Sequence, residues 1–142
     1  MIIEPFKPEH VHLIDVQDEQ SLAKQHFTNT EYLTALSRAD SWTVRINGKV
    51  VACAGIITIW PGRHQCWALI SATIGPAGMV RLTKAVLRML RLKEGRTEMM
   101  VASEFEEGHR WARVLGFKLE TPEPMRQWFP EGGDASLYSR IQ

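Results

Sequence analysis

HQCWALISATIGPAGMVRLTKAVLRMLRLKEGRTEMMVAS, His64 to Ser103, is the stretch whose reading decides the fold. Its opening, His64 to Ser71, reads as a strand. From Met79 to Leu92 the apolar residues Met79, Leu82, Val86, Met89 and Leu90 recur at helical spacing, with Arg81, Lys84, Arg88 and Arg91 as the opposite stripe. Gly95 is placed to end that helix, and Glu98 to Ser103 reads as a buried strand. A strand, a crossover helix and a second strand nearly always form a right-handed parallel pair.

Upstream the pattern is different. Ser41 to Ile46 and Lys49 to Trp60 are strand-like, and Asn47-Gly48 between them is the strongest short hairpin signal in the chain. Pro61-Gly62 turns the chain again into His64. These three strands form an antiparallel meander. Earlier still, Ile2, Ile3 and Phe6 suggest a short first strand stopped by Pro5 and Pro8. Val11 to Phe27 and Thr30 to Ala39 read as a helical hairpin, with Thr28, Asn29 or Thr30 available as N-cap. Downstream, Glu107 to Leu115 reads as a helix closed by Gly116, and Phe117 to Leu119 as the start of a strand. Gly132-Gly133 precedes a last strand, Ala135 to Ile141, expected to pair back across Met125 to Phe129.

The order β, α, α, β, β, β, α, β, α, β, β predicts an α/β fold with a mixed central sheet flanked by helices. Its N-terminal half is antiparallel and its fourth and fifth strands are parallel. Without repeats or low-complexity linkers, residues 1–142 read as a single domain. Apolar residues make up 44% and charged residues 23%, which excludes a disordered or disulfide-built chain. No apolar run is long enough for a membrane span, and Met1 to Pro5 lacks a signal-peptide pattern, so a cytoplasmic protein is expected. The net charge of +1 makes a general affinity for nucleic acid unexpected. Cys53 and Cys66 fall in adjacent apolar runs and are expected to be reduced. The five histidines show no metal-ligand spacing, so no metal is expected.

The element order, with Asn47-Gly48 after the second strand and Val114-Leu115-Gly116-Phe117-Lys118 after the last helix, resembles the GNAT superfamily of acetyl-CoA-dependent N-acyltransferases over nearly the whole chain. A closer resemblance is to a phage and prophage branch of GNAT-like proteins that includes a small virion assembly protein. It rests on Gln65-Cys66-Trp67, on the basic helix around Arg81 to Arg91, and on His109-Arg110-Trp111 ahead of Gly116-Phe117. The first resemblance implies transfer of an acetyl group to an unidentified amine acceptor, small molecule or peptide. The second implies a non-catalytic protein that works through contacts with phage proteins.

In the family a loop of pattern Gln/Arg-x-x-Gly-x-Gly/Ala follows the fourth strand and cradles the coenzyme pyrophosphate with backbone amides and a helix N-terminus. The matching segment is Gly75-Pro76-Ala77-Gly78-Met79-Val80, followed by Arg81. Gly78 fits the pattern. Gly75 stands where glutamine or arginine is usual, Val80 where a small residue is usual, and Pro76 removes one amide. The alternative is a glycine-rich turn that only starts a helix. The resemblance implies Gly75, Gly78, Met79, Val80 and Arg81 at the coenzyme phosphates. It places the backbone of Leu69, Ile70 and Ser71 against the thioester carbonyl.

Acyl transfer needs a deprotonated amine, a polarised carbonyl and a proton for the departing thiolate. The family's proton donor is a tyrosine four residues before the helix-ending glycine, and that position is Ala112. Trp111 beside it does not ionise. The remaining candidates for catalytic roles are His109, Glu104 and Ser71, with Tyr138 behind them. Glu104, Glu106 and Glu107 also suit the start of a helix simply by their charge. His64 reads as an exposed turn histidine, and Trp42, Trp60 and Trp67 as strand packing. Trp128 and Phe129 line either an acceptor groove or a partner surface.

Overall fold

A computed structural model describes residues 1–16 and 30–142. The strands are β1 (Ile2–Pro5), β2 (Asp40–Ile46), β3 (Lys49–Trp60), β4 (Arg63–Ile70), β5 (Arg96–Ala102), β6 (Lys118–Leu119) and β7 (Ala135–Ile141). The α-helices are α1 (Thr30–Arg38), α2 (Gly75–Leu90) and α3 (Glu106–Val114), and Pro8–Leu13 forms a 3-10 helix. The strands make one mixed sheet in the order β1-β2-β3-β4-β5-β7-β6. β4 and β5 are parallel, in register from Arg63↔Arg96 to Gln65↔Glu98, as the strand, helix, strand reading requires. β7 runs antiparallel to both of its neighbours, β5 and β6.

The chain forms two compact units. The first comprises Met1–Ile57 and Cys66–Ala85. Its core gathers Phe6, Val11, Ile14, Leu33, Leu36, Val50, Cys53 and Leu69, with Trp67 packed against it. The Trp67 ring meets Phe6 edge to face at 5.2 Å. Gly55 is required for this: a Cβ there would lie 2.5 Å from Trp67 Nε1. Asn47 and Gly48 both have positive φ, 52° and 78°, the conformation of a two-residue type I′ hairpin turn.

Two expectations for this unit change. Val11 opens no α-helix over the described residues. Val11 belongs to the 3-10 helix, Ile14 is extended, and Val16 bridges Ser71 in antiparallel fashion. Val11 and Ile14 both enter the core, and the pairing of Asp15 and Val16 with Ala72 and Ser71 holds the backbone extended where a continuous helix would have run. The rest of that expected helix and the caps Thr28 and Asn29 lie outside the described residues. Helix α2, in turn, begins at Gly75, four residues before the apolar periodicity starts. Pro76 suits the first turn, where its missing N–H is no loss.

The second unit comprises Thr58–Gln65 and Val86–Gln142. Helix α3 ends in a Schellman motif: Phe117 N–H donates to Ala112 O, Gly116 N–H to Arg113 O, and Gly116 has φ 86°. That geometry is what the Leu-Gly-Phe sequence encodes. Gly95 does not end α2, which stops at Leu90. It has φ 92° and lies so close to the chain at Gly62 that a Cβ would sit 2.4 Å from Gly62 O. Met125 exchanges two hydrogen bonds with Ala135, but β7 draws its long ladder from β5, so the expected pairing across Met125 to Phe129 is a single bridge. His64 is buried instead of exposed: Nε2–H donates to Glu94 O at 3.0 Å and Nδ1 accepts from Thr58 Oγ1–H at 2.9 Å. Trp60 is exposed, with Arg63 stacked 4.6 Å over its ring.

Cys53 and Cys66 are free thiols. Among the described residues, no helix is long and apolar enough to cross a membrane, and no three potential ligand side chains gather as a metal site.

Candidate functional site

The segment Leu69 to Arg81 lies wholly in the first unit and joins the end of β4 to α2. Leu69, Ile70 and Ser71 are buried. Ser71 holds the turn through every polar group it has. Its N–H donates to Val51 O at 2.8 Å, its hydroxyl accepts from Thr73 N–H at 3.1 Å and meets Thr73 Oγ1 at 2.9 Å, and its carbonyl receives Ile74 N–H. Ala72 N–H donates to Asp15 O at 2.8 Å. The loop is therefore fixed before the helix begins.

Gly75 has φ 72° and open space where a Cβ would stand. Because Gly75 is the first helical residue, the orphan amide positions within the helix are Gly75, Pro76 and Ala77, Pro76 contributes none, and Gly78 N–H falls where it bonds back to the Ile74 carbonyl. The N–H groups of Met79 and Val80 fall at positions that bond back to the carbonyls of Gly75 and Pro76. The donors thus sit earlier in the segment than the loop pattern suggests. No acidic residue occupies the first turn of α2, and Val80 and Arg81 are exposed on the turn that follows. Positive helix end, open glycine and nearby guanidinium together suit a phosphate-bearing ligand. Gly78, the residue that best fits the loop pattern, is buried for a different reason: a Cβ would lie 2.7 Å from Ile74 Cγ1 and 3.2 Å from Ile46 Cδ1.

The other candidates lie in the second unit. Glu104 is exposed between β5 and α3. His109, in the first half of α3, is bonded at both ring nitrogens: Nε2 is 2.8 Å from Ser103 O and Nδ1 is 2.7 Å from Tyr138 Oη. A carbonyl only accepts, so Nε2 carries the hydrogen and Nδ1 accepts from the Tyr138 hydroxyl. The imidazole thereby ties the end of β5 and β7 to α3. Ala112 is completely buried, so the position of the family's tyrosine points inward in this chain.

One further cluster has no signature in the chain's local patterns. Arg63 Nε and Arg96 Nη2 hold the two oxygens of Glu98 at 2.6 and 2.9 Å, and Arg96 Nη1 holds Glu120 at 2.6 Å. Burial pushes the Glu98 carboxyl up, but the hydrogen bonds from Arg63 and Arg96 outweigh it and hold it below the ordinary glutamate range. The parallel register brings Arg63 beside Arg96 and Glu98, of which only Arg96 and Glu98 are close in sequence, and Glu120 arrives from the end of β6 beside β7.

No family model and no curated protein matches the sequence. Solved structures do match. The chain is similar to smu.2055 from Streptococcus mutans UA159, at 19% identity over 99% of each chain with a TM-score of 0.75. It is similar to Ard1 from Thermoplasma volcanium, at 17% identity over 99% of this chain and 96% of that one, TM-score 0.75. It is also similar to the acetyltransferase (GNAT family) from Bacillus anthracis, at 11% identity over 98% and 93%, TM-score 0.69. At these identities the likeness is one of architecture, and the fold of this chain is that of the GNAT acetyltransferases.

Proposed function

We propose that the protein is an acetyl-CoA-dependent N-acyltransferase acting on an amine, small molecule or peptide. The observation that carries this reading is the start of α2: orphan amides at Gly75 and Ala77, no carboxylate in the turn, and Arg81 exposed beyond it. Bound coenzyme supplies an activated thioester. The first-turn amides and Arg81 hold its phosphates, with Met79 and Val80 beside them. Ser71 N–H is committed to Val51 O, so it is not the amide that polarises the acyl carbonyl. Glu104 attracts a cationic acceptor. His109 takes a proton only by giving up its bond from Tyr138, and with Ala112 buried, solvent water protonates the thiolate.

Buried Ala112 also favours a second reading, the non-catalytic assembly protein of the phage and prophage branch, which needs no proton donor. Thermal unfolding with acetyl-CoA, with ATP as a phosphate-bearing control and Arg81→Glu as a site control, separates the two. Coenzyme at 100 times its dissociation constant adds about 2.7 kcal/mol, a shift of several degrees. A shift specific to acetyl-CoA and reduced in Arg81→Glu supports the transferase. No shift at millimolar coenzyme overturns it in favour of the assembly protein.

A further inference from the structure

His10 is buried where four elements of the first unit meet, and its two ring nitrogens have opposite roles. Nδ1 lies 2.6 Å from Thr43 Oγ1 on β2 and receives Lys7 N–H at 3.2 Å. Nε2 lies 3.3 Å from Glu4 Oε1 on β1. A backbone N–H donates only, so Nδ1 is the acceptor, and Nε2 carries the hydrogen that Glu4 receives. Thr43 Oγ1–H then also points at Nδ1, which leaves its oxygen free to accept from the Cys53 thiol on β3 at 3.8 Å. One proton position on one ring therefore orders β1, the 3-10 helix, β2 and β3.

We infer that His10 is an acid-sensitive clasp: proton uptake at Nδ1 turns its acceptor into a donor that faces the fixed Lys7 N–H, and loosens the segment from Lys7 to Val16. The Thr43 hydroxyl can rotate to accept from a protonated ring, displacing the thiol, but the backbone amide of Lys7 has no second arrangement. The loosened segment is the one that holds the end of β4 in place. Asp15 O receives Ala72 N–H, and Val16 bridges Ser71, so the turn that leads into α2 loses its partner when the clasp opens.

The charged groups facing His10 among the described residues are Glu4, Arg45, Glu9 and Lys7. Burial is the largest influence and disfavours the imidazolium; Glu4 and Glu9 favour it, and Arg45 and Lys7 oppose it. Arg45 Nε also binds the same Glu4 oxygen at 3.2 Å, which blunts the pull of Glu4 on the ring. The net effect holds His10 below the ordinary histidine value. For a group depressed in the fold, the sign follows directly. Its stabilisation is complete above the unfolded value and is lost as pH falls through the folded one.

The inference stands without the transferase reading, and its test uses no coenzyme. Ring nitrogen shifts of His10 and amide exchange at Ala72, corrected for intrinsic rates, are followed by NMR from about pH 8 to about pH 5. The expected result is an Nε2–H tautomer at neutral pH. As pH falls from the ordinary histidine value towards the His10 midpoint, Ala72 protection should fall by up to about tenfold per pH unit and then level off, as one-proton linkage requires. The Gly95 and Gln142 amides, bonded to each other's carbonyls in the second unit, serve as the reference. In His10→Asn, whose carbonyl oxygen replaces Nδ1 without titrating, Ala72 protection should stay level. Thr43→Val removes a bond that favours the neutral ring, so the midpoint and the pH at which the loss at Ala72 levels off should move together to higher pH. An Nδ1–H tautomer, or titration of His10 with Ala72 unchanged, overturns the clasp. So does an equal loss in His10→Asn, and so does a Thr43→Val midpoint that moves without Ala72.

Discussion

Gly95 and Gly116 both have positive φ and both stand after a helix, yet only one of them caps it. Gly116 closes α3 through local bonds to Ala112 and Arg113, and that is why Leu115-Gly116-Phe117 was readable in sequence. Gly95 serves contact with Gly62, 33 residues away, and no local pattern announces such a neighbour. Gly95→Ala should therefore cost at least about 2 kcal/mol, combining left-handed strain with a backbone clash. Gly48→Ala, which meets open space, should cost about 1 kcal/mol. Urea unfolding of the two variants gives the comparison. The histidines teach the same lesson. His64 and His109 were recognisable as titratable groups, but Thr58, Glu94, Ser103 and Tyr138, the partners that fix their tautomers, come from other turns of the chain.

Elements with strong local signals kept their expected bounds. Lys49–Trp60 and Ala135–Ile141 are bounded by turn residues at their starts and occur as read. Helix α2 began early because the apolar stripe marks where a helix buries its face, whereas its first turn is set by Pro76 and the orphan amides. The helix expected from Val11 to Phe27 does not begin at Val11, because Pro8 to Leu13 form a 3-10 helix and residues 15 and 16 pair with a segment far along the chain, which no local period announces. β7, flanked by β5 and β6, carries Tyr138, whose hydroxyl is its link to His109 and α3. Tyr138→Phe keeps the ring and removes that link, leaving Nδ1 of His109 without its donor. The expected loss is about 1–2 kcal/mol by chemical denaturation, with faster amide exchange in α3 than in β7.

For the molecule as a whole, the order of elements was enough to read the mixed sheet, because a parallel β4–β5 pair joined by a crossover helix leaves few topologies. The candidate site was legible only as a place in the chain. Gly75 to Arg81 could be located by pattern, but that Gly78 is a glycine because of Ile74 and Ile46, and that Ala112 faces inward, are facts of packing. The Asn47–Gly48 turn has a practical consequence. Its two residues are exposed and nothing lies within 4 Å of where a Gly48 side chain would begin, so the chain can be lengthened there without asking any neighbour to move. A flexible insert of about ten residues should lower stability by only about 1–2 kcal/mol, the entropy of closing a longer loop, as thermal melting will show. The hairpin tip is thus an attachment point, where a fluorophore or affinity peptide can be carried on the folded protein.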